Sequence, residues 1–207
     1  MSPQDDLHAI FDADRALREA EARLLSRSRS TLEGLLSQAV QEAARMQDRS
    51  EAVMRLERLA DLCAQVPGPA MADALLAILN DQAPSVRVAA GEALLDVAYE
   101  RYAEVARAIE RALDAGTRGP AMDELPYILA EVGEPSALPL IRRFLDHPDA
   151  DVVAAAIEAL AQLGEPEALP DLERFVDDER TVTFDEYEEE TTSTIGELAR
   201  DAMDMLR

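Results

Sequence analysis

Apolar residues recur at intervals of three and four along most of the chain. Val86-x-x-Ala89-Ala90-x-x-Ala93-Leu94 sets five apolar side chains on one face of a helix. The spacing returns at Val152, Ala155, Ala156, Ala159 and Leu160, and more loosely at Ile195, Leu198, Ala199, Ala202 and Met203. It predicts helices over 84–98, 149–163 and 192–206, with a fourth near 118–132. Helices over 69–80, 101–115, 135–146 and 166–178 precede these. Glycines and prolines punctuate the corners, where glycine takes the left-handed cap and proline loses only a donor that has no partner. Residues 30–46 and 50–65 read as a further helix pair. Pro126 falls inside 118–132 and predicts a lost hydrogen bond and a kink.

The helices come in repeated pairs. Residues 133–146 read GEPSALPLIRRFLD and residues 164–177 read GEPEALPDLERFVD, nine identities in fourteen positions at an offset of 31. A two-helix unit of this length cannot bury its apolar face alone, so neighbouring units stack and share a core. Ala89, Ala90, Ala93, Ala155, Ala156 and Ala159 allow close approach, while Leu75, Leu79, Leu94, Leu140, Phe144 and Leu160 fill the layers between helices.

Helical hairpins of about thirty residues with a V-x-x-A-A-x-x-A-L second helix resemble HEAT repeats, especially the bacterial PBS-lyase HEAT-like subclass. The resemblance implies an all-α fold, an α-solenoid of four to five hairpins, with second helices lining a concave face. The expected domains are an N-terminal amphipathic helix and linker over 1–29 and a repeat domain over 30–207.

With Val86, Ala89, Ala90, Ala93 and Leu94 facing the core, Val88, Glu92 and Leu95 point away. The repeat register extends this outward face into two ladders: Glu92, Tyr127, Glu158 and Asp201, and beside it Val88, Asp123, Ala154 and Glu197. Charges there suit either a solvated face or a groove for a basic partner, and Val88, Leu95 and Tyr127 favour the groove. An insertion near 180–191 carries Phe184, Asp185, Glu186 and Tyr187 among residues of strand propensity. It reads as a hairpin or an acidic loop beside the binding face. In the segment 4–27, Leu7, Ile10, Phe11, Leu17, Leu24 and Leu25 form an amphipathic stripe that suits a cap on the first repeat or self-association.

Composition narrows the chemistry. The 207 residues carry a net charge of -23, and every one of the 20 basic residues is arginine. Schiff-base enzymes and lysine-bearing phosphate loops are excluded. Nucleic acid and anionic membrane are unfavourable partners for so acidic a chain. Residues 1–48 contribute -3 and residues 49–207 contribute -20, so the excess belongs to the repeats. The single cysteine, Cys63, lies on an apolar helix stripe and reads as core. With no signal segment evident, the expected location is cytoplasmic.

His8 and His147 stand far apart in sequence, which gives no histidine cluster for a metal. The repeated His-Glu pairs of the HEAT-like deoxyhypusine hydroxylases are absent, as are the basic, aromatic clefts of HEAT-like glycosylases and any marked bilin pocket. No cofactor and no catalytic residue are expected. The leading expectation is a non-enzymatic scaffold that binds a basic protein segment through an acidic concave face. A bilin-lyase-like or other small-molecule activity and a nucleic-acid mimic are the alternatives.

Overall fold

The computed structural model describes residues 2–186 and 189–207. Its elements are α1 (Pro3–Leu25), α2 (Arg29–Ala44), α3 (Arg49–Ala64), α4 (Pro69–Leu79), α5 (Pro84–Asp114), α6 (Ala121–Val132), α7 (Ala137–Phe144) and α8 (Ala150–Leu163). A broken helical segment over 166–175, containing α9 (Leu169–Leu172), leads to β1 (Thr181–Glu186), β2 (Glu189–Thr194) and α10 (Ile195–Met205). These form an all-α solenoid with one inserted hairpin. The second helices α3, α5, α6, α8 and α10 contact one another in succession, and α2, α4, the latter part of α5 and α7 form the other layer. One continuous core joins them.

Local chemistry sets the boundaries. Asp48 caps α3 and Asp149 caps α8 through side-chain oxygens that accept backbone amide protons. Gly133 and Gly164 close α6 and α8 in the left-handed conformation, at φ 64° and 71°. The helices expected over 84–98 and 101–115 run together, with Arg101 alone non-helical at φ -142°, ψ 47°. Its guanidinium donates to the Ala64 carbonyl at 2.8 Å and lies 3.4 Å from Glu104, whose carboxylate accepts the Gly68 amide at 2.9 Å. The bend is thereby pinned to the corner between α3 and α4. Pro126 is buried within α6, which continues through it rather than breaking. The segment expected as one helix over 166–178 is instead two short 3-10 turns flanking α9.

The expected core residues Leu75, Leu79, Leu94, Leu140, Phe144 and Leu160 are buried, as are Ala90, Ala93, Ala155, Ala156 and Ala159; Ala89 is half-buried. Ala154, expected on the outward ladder, is also buried, because α6 and α10 pack against either side of α8. Cys63 is fully buried, and desolvation pushes its thiol up to about 12.

The inserted segment is an antiparallel hairpin whose register runs from Thr181 opposite Thr194 to Glu186 opposite Glu189. Val182 is buried and anchors its base. β2 passes directly into α10, where Thr194 caps the helix reciprocally with Glu197. Gly196 fits this junction closely: a Cβ there would lie 2.7 Å from the Val176 carbonyl oxygen.

α1 stands apart. Only its last two turns meet the repeats, through half-buried Leu24 and Leu25 and a 3.2 Å pair between Glu21 and Arg58. Its apolar stripe is left open, with Leu7 49%, Ile10 63%, Phe11 54% and Leu17 38% exposed. A cap would have buried these side chains. The short interval between Leu25 and Arg29 holds only the end of α1 against the repeats.

Candidate functional site

Two faces of the solenoid treat their charges differently. Along the first helices, arginines of one unit reach aspartates of the unit before: Arg111 to Asp73 at 2.6 Å, Arg143 to Asp114 at 2.6 Å and Arg174 to Asp146 at 3.0 Å. Such exposed pairs add little stability individually, but they neutralise that side. On the second helices, Glu92, Glu158 and Asp201 have no arginine partner among the described residues.

A groove of about 470 Å³ runs between α5 and α6 on this second-helix face. Its lining brings together Val88, Glu92, Leu95 and Tyr127, four residues that the outward register singles out. Val88 is 60% exposed, leaving an apolar side chain on a surface that has no packing need for it. Pro84, Gly91 and five longer side chains, those of Arg87, Glu124, Ile128, Glu131 and Gln162, complete the wall. Sequence reading missed these five. Steps of three and four from Tyr127 reach Glu124 and Glu131, and a step of four from Glu158 reaches Gln162, so helical periodicity was the available signal.

The ladder has a physical rung. The Tyr127 hydroxyl donates to the Glu158 carboxylate across the step from α6 to α8. Burial and that neighbouring carboxylate raise the phenol's pKa, which fixes Tyr127 as a neutral donor. Glu131 is held less tightly, by Tyr99 at 3.4 Å and Gln162 at 3.3 Å. Among the described residues Arg87 is the one arginine that lines the groove, and it lies 3.9 Å from Glu124.

Asp123 lies just beyond the groove lining, half-buried in the first turn of α6. Burial pushes its carboxyl up to about 6, and the carboxylates of Asp149, Asp151 and Glu124 add to the rise, while Arg87 opposes it. The other candidates are dispersed. Asp201 is exposed on α10, and Glu197 is engaged in the helix cap, where its bonds with Thr194 hold its pKa down. Phe184, Asp185 and Glu186 belong to β1, and Tyr187 lies outside the described residues. Among the described residues no group of three or more His, Cys, Asp or Glu side chains is arranged to hold a metal ion. No described helix is long and apolar enough to cross a membrane.

A profile described as HEAT repeats matches residues 127–184, from the groove tyrosine into the hairpin. Among solved structures, a computationally designed armadillo repeat protein for modular peptide recognition superposes with a TM-score of 0.41 at 17% identity, covering 93% of this chain and 94% of that one. A designed armadillo repeat protein in complex with the peptide (KR)4 gives 0.41 and 17%, covering 94% and 92%. These superpositions are loose, so the stacking described above rests on the helix contacts themselves. No curated protein matches the chain. The matched segment is similar to HEAT repeats, and the helix pairs on either side of it stack as it does.

Proposed function

We propose that the chain is a protein-interaction scaffold that receives an extended basic segment across its second helices. The observation that carries this reading is the groove between α5 and α6, apolar at Val88, Leu95 and Ile128 and bordered by Glu92, Glu124 and Glu131. Glu92 on α5, Glu158 on α8 and Asp201 on α10 have no arginine partner among the described residues, and the last two continue the charge beyond the groove. Charges left without partners on one face steer a cationic ligand and fix its register, while the apolar floor supplies contact area. Neighbouring helices lie roughly 9 Å apart, and a polyproline II segment has three residues per turn at about 3.1 Å each, so the ligand turns the same face to one helix about every three residues. Arginine or lysine at that interval fits the ladder. Asp123 and the residues of β1 named above form the outer parts of the proposed interface.

The test is fluorescence anisotropy with a labelled nonapeptide bearing arginine at every third position and leucine between. Binding is expected to weaken at least tenfold from 50 to 300 mM salt. Combining Glu92→Arg with Asp201→Arg, both at exposed positions, is expected to weaken it about 100-fold while leaving the thermal midpoint intact. Affinity that survives either change overturns the proposal.

A further inference from the structure

We infer that α1 is a self-association element: two copies of the chain pair through this helix in an antiparallel sense, with the repeat bodies at opposite ends. Ile10, Ala13, Leu17 and Ala20 follow one another at steps of three and four, Leu7 and Phe11 widen the stripe, and Leu24 carries it to the point where α1 packs on the repeats. The helix is fully formed from its capping box at Ser2 and Asp5 to Leu25, yet none of its residues is buried. A helix that meets the body only at its C-terminal end gains little from tertiary packing, and packing of an apolar face is what ordinarily stabilises such helices. A second copy supplies that packing. The alanines at 13 and 20 let two backbones approach closely, and the larger side chains fill the space between.

Charge determines the sense of pairing. Residues 3–14 contain Asp5, Asp6, Asp12 and Asp14 and no arginine. Residues 15–27 contain Arg15, Arg18, Arg23 and Arg27 against Glu19 and Glu21. Antiparallel pairing sets the acidic half of each helix beside the basic half of the other. Parallel pairing sets acid on acid. It also brings together two repeat bodies whose residues 49–207 each carry -20. In the antiparallel arrangement the bodies lie about 30 Å apart, the length of the helix and several times the screening distance in physiological salt. The acidic polar face, with no lysine beside the stripe, suits a protein partner better than an anionic lipid surface.

Sedimentation equilibrium of the full chain, with orientation read separately by paired spin labels, tests the inference. The wild-type chain is expected to sediment as a dimer. Ile10→Asp with Leu17→Asp is expected to raise the dissociation constant at least about 100-fold without moving the thermal midpoint, because both side chains are exposed in the single chain. Leu35→Asp with Met54→Asp, at exposed apolar positions of α2 and α3, is expected to leave the mass unchanged. With a nitroxide on Gln4→Cys, antiparallel pairing over the free part of the helix separates the two labels by about 20 Å or more, and parallel pairing by about 10 Å. Four results overturn the inference. The chain is monomeric up to 100 µM, whether or not α1 then binds zwitterionic vesicles. The dimer survives the α1 variant. The dimer is lost in the α2–α3 variant. The short label distance is found. The groove is untouched by the α1 variant, so retained peptide binding there separates the failure of one proposal from failure of the other.

Discussion

Replacing Asp123 with asparagine is expected to stabilise the protein at neutral pH and to leave it unchanged in acid. The carboxyl is pushed from 3.8 to about 6, first by burial and then by Asp149, Asp151 and Glu124, with Arg87 opposing. A raised carboxyl pKa means that the native state holds the proton more tightly than the unfolded chain does. Relative to the charged reference, that contribution is complete below pH 4 and is lost as pH rises through about 6. For a carboxyl fully shielded from water that rise corresponds to about 3 kcal/mol of unfavourable free energy above pH 7. Asp123 is only half-buried, and solvent screening reduces the figure to about 1 kcal/mol. Asparagine keeps the shape and removes the charge. Urea unfolding at pH 4 and pH 7.5 should show Asp123→Asn equal to wild type at the first and about 1 kcal/mol more stable at the second. Equal stability at pH 7.5, or the same gain at both values, would refute the electrostatic account of this turn.

Gly196→Ala should destabilise the junction between β2 and α10 by about 1–3 kcal/mol, because the added carbon meets the Val176 oxygen at 2.7 Å and the Asp178 oxygen at 3.1 Å. The check is a thermal midpoint lowered by several degrees; an unchanged or raised midpoint counts against the close fit. The Cys63 thiol, held at about 12 within the core, should resist a maleimide in the folded protein and react in full in 6 M urea. Rapid labelling under native conditions would show that α3 opens readily.

The helix pairs were legible in the sequence because their signals are local. Period-3.6 apolar faces, Gly133 and Gly164 after helix ends, and proline at the opening of α4 and α5 act within a few residues of themselves. The hairpin was half legible. Alternating Thr and Val suggested strand, but pairing depends on Val182 finding the core beneath it. The bend at Arg101 was not legible, since its cause is a carbonyl 37 residues away at Ala64. The site divided in the same way. Val88, Glu92, Leu95 and Tyr127 followed from the outward register, whereas Ala154 was misplaced because packing on both sides of α8 consumed a position that periodicity left open.

The amino-acid pattern by itself determined that this chain folds as stacked helical hairpins, and it singled out Val88, Glu92, Leu95 and Tyr127 as outward-facing. Periodicity and repeat offset depend on near neighbours and survive without knowledge of the whole. Tertiary structure decided which of those outward residues share a groove, which acids lack an arginine partner, and that α1 presents its apolar stripe to solvent. Those properties arise from distances between units, and the linear sequence carries no record of them.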